Sequence, residues 1–300
     1  MKTTIIGLGL IGGSIAIDLR AAGIASVLYG VDADAHNGSR AVELGLVDSL
    51  NSLEDAVTMS DLVIIAIPVN ALTGLLPKVL DFITVGAVVI DAGSTKASIC
   101  RSVATHPKRQ AFVASHPIAG TENSGPDAAF AGLFLNKTNI VCEKEKSSPA
   151  ALATASKVIN ALGMNTIFMD AEEHDKHVAY VSHLSHVSSF LLGQTVLDIE
   201  KDEKNIFALA GSGFASTVRL AKSSPDMWAP IFEQNLDYLS QALQEYIMHL
   251  QKFHYHLLKR DTRELHRIMS GANEIRRVLE GIELNQKSGT RLETPLSTNK

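Results

Sequence analysis

Seven short apolar runs, at residues 3–6, 27–31, 62–67, 87–90, 111–115, 138–142 and 166–169, punctuate the first 170 residues. Most are separated by segments of helical periodicity, among them 12–22, 70–82, 94–104 and 150–162. Strands that alternate with helices, and are apolar at successive positions rather than every second one, must be buried on both faces. The pattern therefore predicts an α/β fold with a doubly wound, mainly parallel sheet. After Asp170 the strand pattern stops. Phe232, Leu236, Leu239, Leu243, Tyr246, Leu250, Phe253 and Leu257 recur at spacings of 4 and 3, the seam of a long helix that needs a partner, either in an internal bundle or in a second subunit. Asp261 and Glu264 form a capping box that predicts a further helix over 262–279. The expected organisation is a nucleotide-type domain over 1–170, an all-helical domain over 171–285 for substrate and dimerisation, and a polar, disordered tail over 286–300.

Three hundred residues are enough for two cores. A net charge of −5 attracts neither nucleic acid nor an anionic membrane, so small-molecule chemistry is the expectation. The apolar stretch 62–80 is broken by Pro68, Asn70 and Pro77, and glycines interrupt the run 3–17, so neither reads as a spanning helix or a secretory signal. Cys100 and Cys142 make no C-x-x-C and are too few for a disulfide framework, which fits a reducing cytoplasm.

Gly7-Leu8-Gly9-Leu10-Ile11-Gly12 fits G-x-G-x-x-G between the first strand and the first helix. The glycines permit a tight turn and close approach to a pyrophosphate, and the helix N-terminus attracts the anion. Asp32 ends the second strand, 20 residues beyond Gly12, where a carboxylate can accept the ribose hydroxyls. The residues after it supply no arginine for a 2′-phosphate. Together these predict a Rossmann-type domain that binds NAD.

In an open parallel sheet ligands bind beyond the carboxyl ends of the strands. Pro68, Ser94 and His116 fall there. Neutral histidine suits the removal of a hydroxyl proton as hydride leaves the same carbon, and Pro117 holds His116 in extended geometry. Packing against backbone is the alternative for His116. Ser94 is placed either to bond the same hydroxyl or the nicotinamide amide, or to cap the helix expected from residue 94. Lys96 reads as a first-turn helix residue near phosphate or solvent.

Residues 172–186, E-E-H-D-K-H-V-A-Y-V-S-H-L-S-H, gather four histidines. At about 100° per residue His174 and His183 fall on opposite faces of one helix, so no metal site is expected. His183 and His186 share a face and can be offered to a polar substrate. Further on, glycine-rich backbone precedes Arg219, whose planar fork suits a carboxylate; a salt-bridging loop arginine is the alternative.

G-L-G-L-I-G-G-S, D-A-G-S-T-K, S-H-P-I-A-G-T-E, V-S-H-L-S-H and G-F-A-S-T-V-R-L-A-K-S-S-P-D-M-W occur in this order, and the chain resembles the prephenate and arogenate dehydrogenases of tyrosine biosynthesis over residues 1 to about 285. The resemblance implies NAD-dependent oxidative decarboxylation, with hydride leaving C4 and CO2 leaving C1. It matches His116 to the catalytic base, Ser94 to the serine that orients hydroxyl and nicotinamide, Arg219 to the carboxylate-binding arginine, and His186 to a histidine near the substrate side chain. Ser182, His183, Thr121, Glu122 and Trp228 match positions that line or brace the pocket. Ser212 departs from a glycine common in relatives. The expectation is the core enzyme without a fused chorismate mutase or regulatory domain, a homodimer through the helical part, with tyrosine inhibiting by competition. A β-hydroxyacid dehydrogenase, which usually relies on a lysine in its helical domain, and an NAD-binding sensor without acid–base residues are the competing readings.

Overall fold

A computed structural model describes residues 1–201 and 205–281. Eight strands form one sheet in the order β3-β2-β1-β4-β5-β6-β7-β8. They are β1 Lys2–Ile6, β2 Val27–Val31, β3 Ser49–Leu50, β4 Leu62–Ile65, β5 Val88–Asp91, β6 Phe112–Pro117, β7 Thr138–Cys142 and β8 Asn165–Met169. Every pairing is parallel except β6 with β7. The strand order reverses between β1 and β4, which opens the crevice of a doubly wound sheet at their carboxyl ends.

The helices α1 Leu10–Ala21, α2 Ala35–Glu43, α3 Leu53–Thr58, α4 Val69–Phe82, α5 Ala97–Ser102 and α6 Pro149–Ala161 connect the strands. Alternate strand residues serve opposite cores: Leu62 and Ile64 pack with Ile15 and Leu19 of α1 and Val158 of α6, while Val63 and Ile65 pack with Leu72, Leu76 and Val79 of α4. Burial on both faces explains the uninterrupted apolar runs. β3 escaped the sequence pattern because two residues are too short to show one.

Strands cease at Met169, and α7 Ala171–Val178, α8 Leu184–Glu200, α9 Ser212–Val218 and α10 Pro225–Gln234 follow. They belong with the sheet to one compact unit, Met1–Leu239, and Ala171, Trp228 and Ile231 join the core on the α4 side. The heptad seam is not one helix. Phe232 lies in α10, Asn235 takes a non-helical conformation (φ −108°, ψ 31°), and α11 runs over Leu236–Leu258. Within the second unit, from Ser240 onward, α12 Thr262–Ala272 is capped by Asp261, whose side chain accepts the Glu264 N–H at 3.1 Å. A single tight turn, Asn273–Ile275, interrupts the helix after Ala272, and residues 276–281 are helical again, so the helical segment expected to about 279 is present with one break. The tail predicted over 286–300 lies outside the described residues. Among the described residues, no helix is long and apolar enough to cross a membrane.

Candidate active site

At the strand-order reversal, Gly7 has φ 92°, and a Cβ there would lie 2.3 Å from the Ala66 carbonyl oxygen. A Cβ on Gly12 would lie 1.9 Å from the Gly7 oxygen, so only glycine lets α1 pack this closely on the turn. α1 starts at Leu10, not Gly12, so the N–H groups of Leu10, Ile11 and Gly12 occupy its first turn and lack intrahelical acceptors. Asp32 is anchored to the same turn. Its Oδ2 accepts the Leu8 N–H at 2.7 Å and its Oδ1 the Asp34 N–H at 2.9 Å, and each oxygen keeps a lone pair for further donors. Pro68, exposed, lies beyond the end of the neighbouring strand β4 and immediately precedes the first turn of α4. This is a cradle whose glycine contacts and anchored carboxylate fit a dinucleotide.

A second opening lies between β5 and β6. These strands pair only at Val89 with Phe112 and Ile90 with Val113, after which β6 turns to β7 and pairs antiparallel from Ala114 to Pro117. The divergence leaves backbone groups of Ser115 without strand partners, and side chains replace them. Asp91 Oδ1 accepts the Ser115 N–H at 2.9 Å, and Lys96 Nζ donates to the Ser115 carbonyl at 2.7 Å. Lys96 is also ion-paired with Asp91, and both side chains are fully buried. The placement of Lys96 near phosphate or solvent is therefore corrected: the ammonium patches the split in the sheet.

Ser94 does not cap a helix. α5 begins at Ala97, three residues later than expected, and its first N–H groups go to a carboxylate from α7: Asp175 Oδ1 accepts Lys96 N–H at 2.7 Å and Oδ2 accepts Ala97 N–H at 2.9 Å. The half-buried Ser94 sits in the loop after β5, and His116, partly exposed, is the penultimate residue of β6. His116 Nδ1 lies 2.8 Å from His174 Nε2, and His174 Nδ1 lies 2.7 Å from Asp175 Oδ1. Burial, and then the charges of His174, Lys96 and His183, hold the His116 pKa well below the usual histidine value. Burial also lowers His174, against the opposing pull of Asp175.

Between α7 and α8 the helix widens into a π-type turn, Ala179–His183. The regular α-helical advance assumed between His174 and His183 is therefore corrected. Both are buried, and Asn235 ties their surroundings together, its Nδ2 donating to the Asp175 carbonyl at 2.7 Å and lying 3.1 Å from His183 Nδ1. Burial pushes His183 down to about 4. Among the described residues no group of three or more metal-ligating side chains is arranged around a metal position.

His186 stacks on Trp228 at 3.5 Å between ring centroids, and its Nδ1 donates to the Ser182 carbonyl at 3.0 Å. Trp228 is buried and its Nε1 has no hydrogen-bond partner among the described residues. Burial lowers the His186 pKa, as does the nearby charge of Arg219. Arg219 itself is exposed and pairs with Glu122 at 3.4 Å. Beside this pair lies a cleft of about 180 Å3 lined by Pro68, Thr121, Glu122, Ser224, Asp226 and Met227, among others.

Residues 15–168 match the family model described as "Prephenate dehydrogenase, nucleotide-binding domain", and residues 170–271 match "Prephenate dehydrogenase, dimerization domain". The chain belongs to the prephenate dehydrogenase family. It is similar to the cyclohexadienyl dehydrogenase of Zymomonas mobilis, 32% identical over 86% of this chain and 88% of that protein. With the prephenate dehydrogenase of Bacillus subtilis it shares 31% identity over 96% of this chain and 78% of the relative. The crystal structure of the A. aeolicus prephenate dehydrogenase with hydroxyphenyl propionate and NAD+ superposes with a TM-score of 0.85 at 29% identity, covering 93% and 98% of the two chains. Synechocystis arogenate dehydrogenase gives 0.74 at 30% identity over 93% and 100%. As a member of this family the chain is an oxidoreductase, and its activity falls among the prephenate, arogenate and cyclohexadienyl dehydrogenases.

Within this prephenate dehydrogenase family chain, the structure brings His116 together with His174 and Asp175, His186 with Ser182 and Trp228, and Arg219 with Glu122. The sequence reading singled out D-A-G-S-T-K, 91–96, without giving Asp91 or Lys96 a part in holding the His116 strand, and it missed His174, Asp175 and Asn235 as parts of the site. H-D at 174–175 was a readable signal, since adjacent imidazole and carboxylate can bond directly. Asn235 carried none.

Proposed function

We propose that this chain oxidatively decarboxylates prephenate to 4-hydroxyphenylpyruvate with NAD, His116 acting as the general base. The observation that carries the reading is a neutral histidine at the diverging end of β6, with Nε2 free of any partner among the described residues, its Nδ1 held by His174. Bound in the Gly7–Gly12 turn beside Asp32, NAD supplies the acceptor for the hydride that leaves C4. His116 Nε2 takes the C4 hydroxyl proton, with Ser94 orienting that hydroxyl. The bond from C1 to the carboxylate then breaks, its electron pair enters the ring, and the dienone becomes a phenolate. That phenolate recovers the proton from His116. Prephenate and NAD+ thus give 4-hydroxyphenylpyruvate, CO2 and NADH with no net proton released.

Arg219 binds a substrate carboxylate, exchanging Glu122 for the ligand. His186 on Trp228 borders the substrate side chain, with His183, Ser182 and Thr121 bracing the pocket. Tyrosine, which shares the phenol ring and the side-chain carboxylate of the product, competes there. Exposed apolar side chains on α11, Leu250, Phe253 and Leu257, together with the matched dimerization domain, support a homodimer. Arogenate is the second reading, favoured by the carboxylates of Glu122 and Asp226 at the cleft, which suit an amino group in place of the keto group. NADH absorbance measured with each substrate, and with NAD against NADP, tests the assignment. No NADH from either substrate would sink it, and turnover with arogenate alone would replace the first reading by the second.

A further inference from the structure

The buried pair His174 and Asp175 is not explained by packing alone, because its hydrogen bonds can be assigned directions. Backbone N–H groups only donate, so Asp175 receives Lys96 N–H on Oδ1 and Ala97 N–H on Oδ2, and both of its oxygens are acceptors. The third contact, from His174 Nδ1 at 2.7 Å, is then donated by the imidazole. A neutral His174 protonated at Nδ1 has a lone pair at Nε2, and that atom lies 2.8 Å from His116 Nδ1. His116 must donate there, which places its own lone pair on Nε2. Backbone geometry at the start of α5 therefore dictates, through two side chains, which nitrogen of His116 is the base.

We propose that His174 and Asp175 are positioning residues for His116: they fix its tautomer and hold the proton taken from substrate until the product ring reclaims it. This rests on the reading of His116 as the base. As Nε2 gains the hydroxyl proton, the Nδ1 proton shifts toward His174 Nε2, placing the charge beside Asp175; when Nε2 gives its proton back to the phenolate, the Nδ1 proton returns. No bond other than these N–H bonds changes and no proton leaves the chain. His174 is fully buried and Asp175 nearly so, which suits a proton that is stored rather than released to solvent. The groups facing the pair are Asp91 at the end of β5, Lys96 from the β5–α5 loop and His183 from the π-type turn. A proton on His174 would reverse the His116 tautomer and remove the base, so the acid limb of kcat belongs to the two histidines jointly.

His174→Leu removes the acceptor and is expected to lower kcat about 100- to 1,000-fold with the KM for NAD unchanged. His174→Gln keeps an oxygen acceptor for His116 Nδ1–H and a donor for Asp175 but cannot take a proton; it should recover much of the loss, with an acid limb that reflects one histidine. Imidazole nitrogen NMR on isotope-labelled parent protein at neutral pH provides a test that needs no variant: His116 should be protonated at Nδ1 and bare at Nε2. A His174→Leu enzyme within about threefold of the parent, with the same acid limb, would overturn the proposal. So would a His116 protonated at Nε2. His116→Asn separates the two levels: if it retains near-normal kcat the base reading itself fails, whereas a dead His116→Asn beside an active His174→Leu leaves the base and removes only its support.

Discussion

Lys96→Met tests whether the split between β5 and β6 is held by a buried cation. The parent ammonium makes an ion pair with Asp91 and donates to the Ser115 carbonyl, with no solvent access to either charged side chain. Methionine keeps the length and apolar stem of the side chain but leaves a buried carboxylate and a carbonyl without their partner. Breaking a buried pair from one side costs about 3–5 kcal/mol, much of it the penalty of the orphaned charge. The control is Arg101→Met, five residues on in α5, which removes an ion pair with Glu172 whose side chains are 65% and 51% exposed. Screening limits that loss to roughly 0–1 kcal/mol. Urea melts followed by circular dichroism should separate the two variants by at least about 2 kcal/mol at equal m-value. If Lys96→Met is as stable as Arg101→Met, the ammonium does not patch the sheet. Lys96 also helps hold His116 neutral, so a folded Lys96→Met enzyme should show its acid limb moved to higher pH.

Two further outcomes follow from the geometry. Arg219→Gln should raise the KM for substrate more than it changes kcat, because the exposed guanidinium is already drawn to a carboxylate, Glu122; a charge-assisted contact is worth roughly 1.5–3 kcal/mol, and an unchanged KM in steady-state assays would move that role elsewhere. Stability should fall as pH drops from 6.5 toward 4. Buried His183 is held down at about 4 against 6.5 for an ordinary histidine, so the unfolded chain binds the proton first and gains on the folded one through this window. His183 alone contributes on the order of 3 kcal/mol to that loss, and His183→Gln should flatten the profile in chemical melts at pH 7, 5.5 and 4.

Much of this architecture was legible because sheet burial writes itself into contiguous sequence: two-sided packing makes uninterrupted apolar runs, and a turn that cannot tolerate Cβ atoms writes itself as glycines at 7 and 12. The cluster around His116 is written differently. Its members satisfy polar groups left over where regular structure ends: Lys96 and Asp91 where two strands part, Asp175 where α5 begins, and Asn235 where α10 and α11 meet. Such demands arise only after folding has brought remote ends together, so no local pattern announces them. The irregular advance between His174 and His183 is equally silent in the sequence, since a single π-type turn rotates all that follows it while leaving the composition of the helix unremarkable. It also ties stability to chemistry. The carboxylate that caps α5 is the one that orders the histidines, so the start of a helix serves as the far end of a proton path. A substitution at Asp175 should therefore loosen α5 and disable the base together, whereas His174→Gln should leave the cap intact and change only the path.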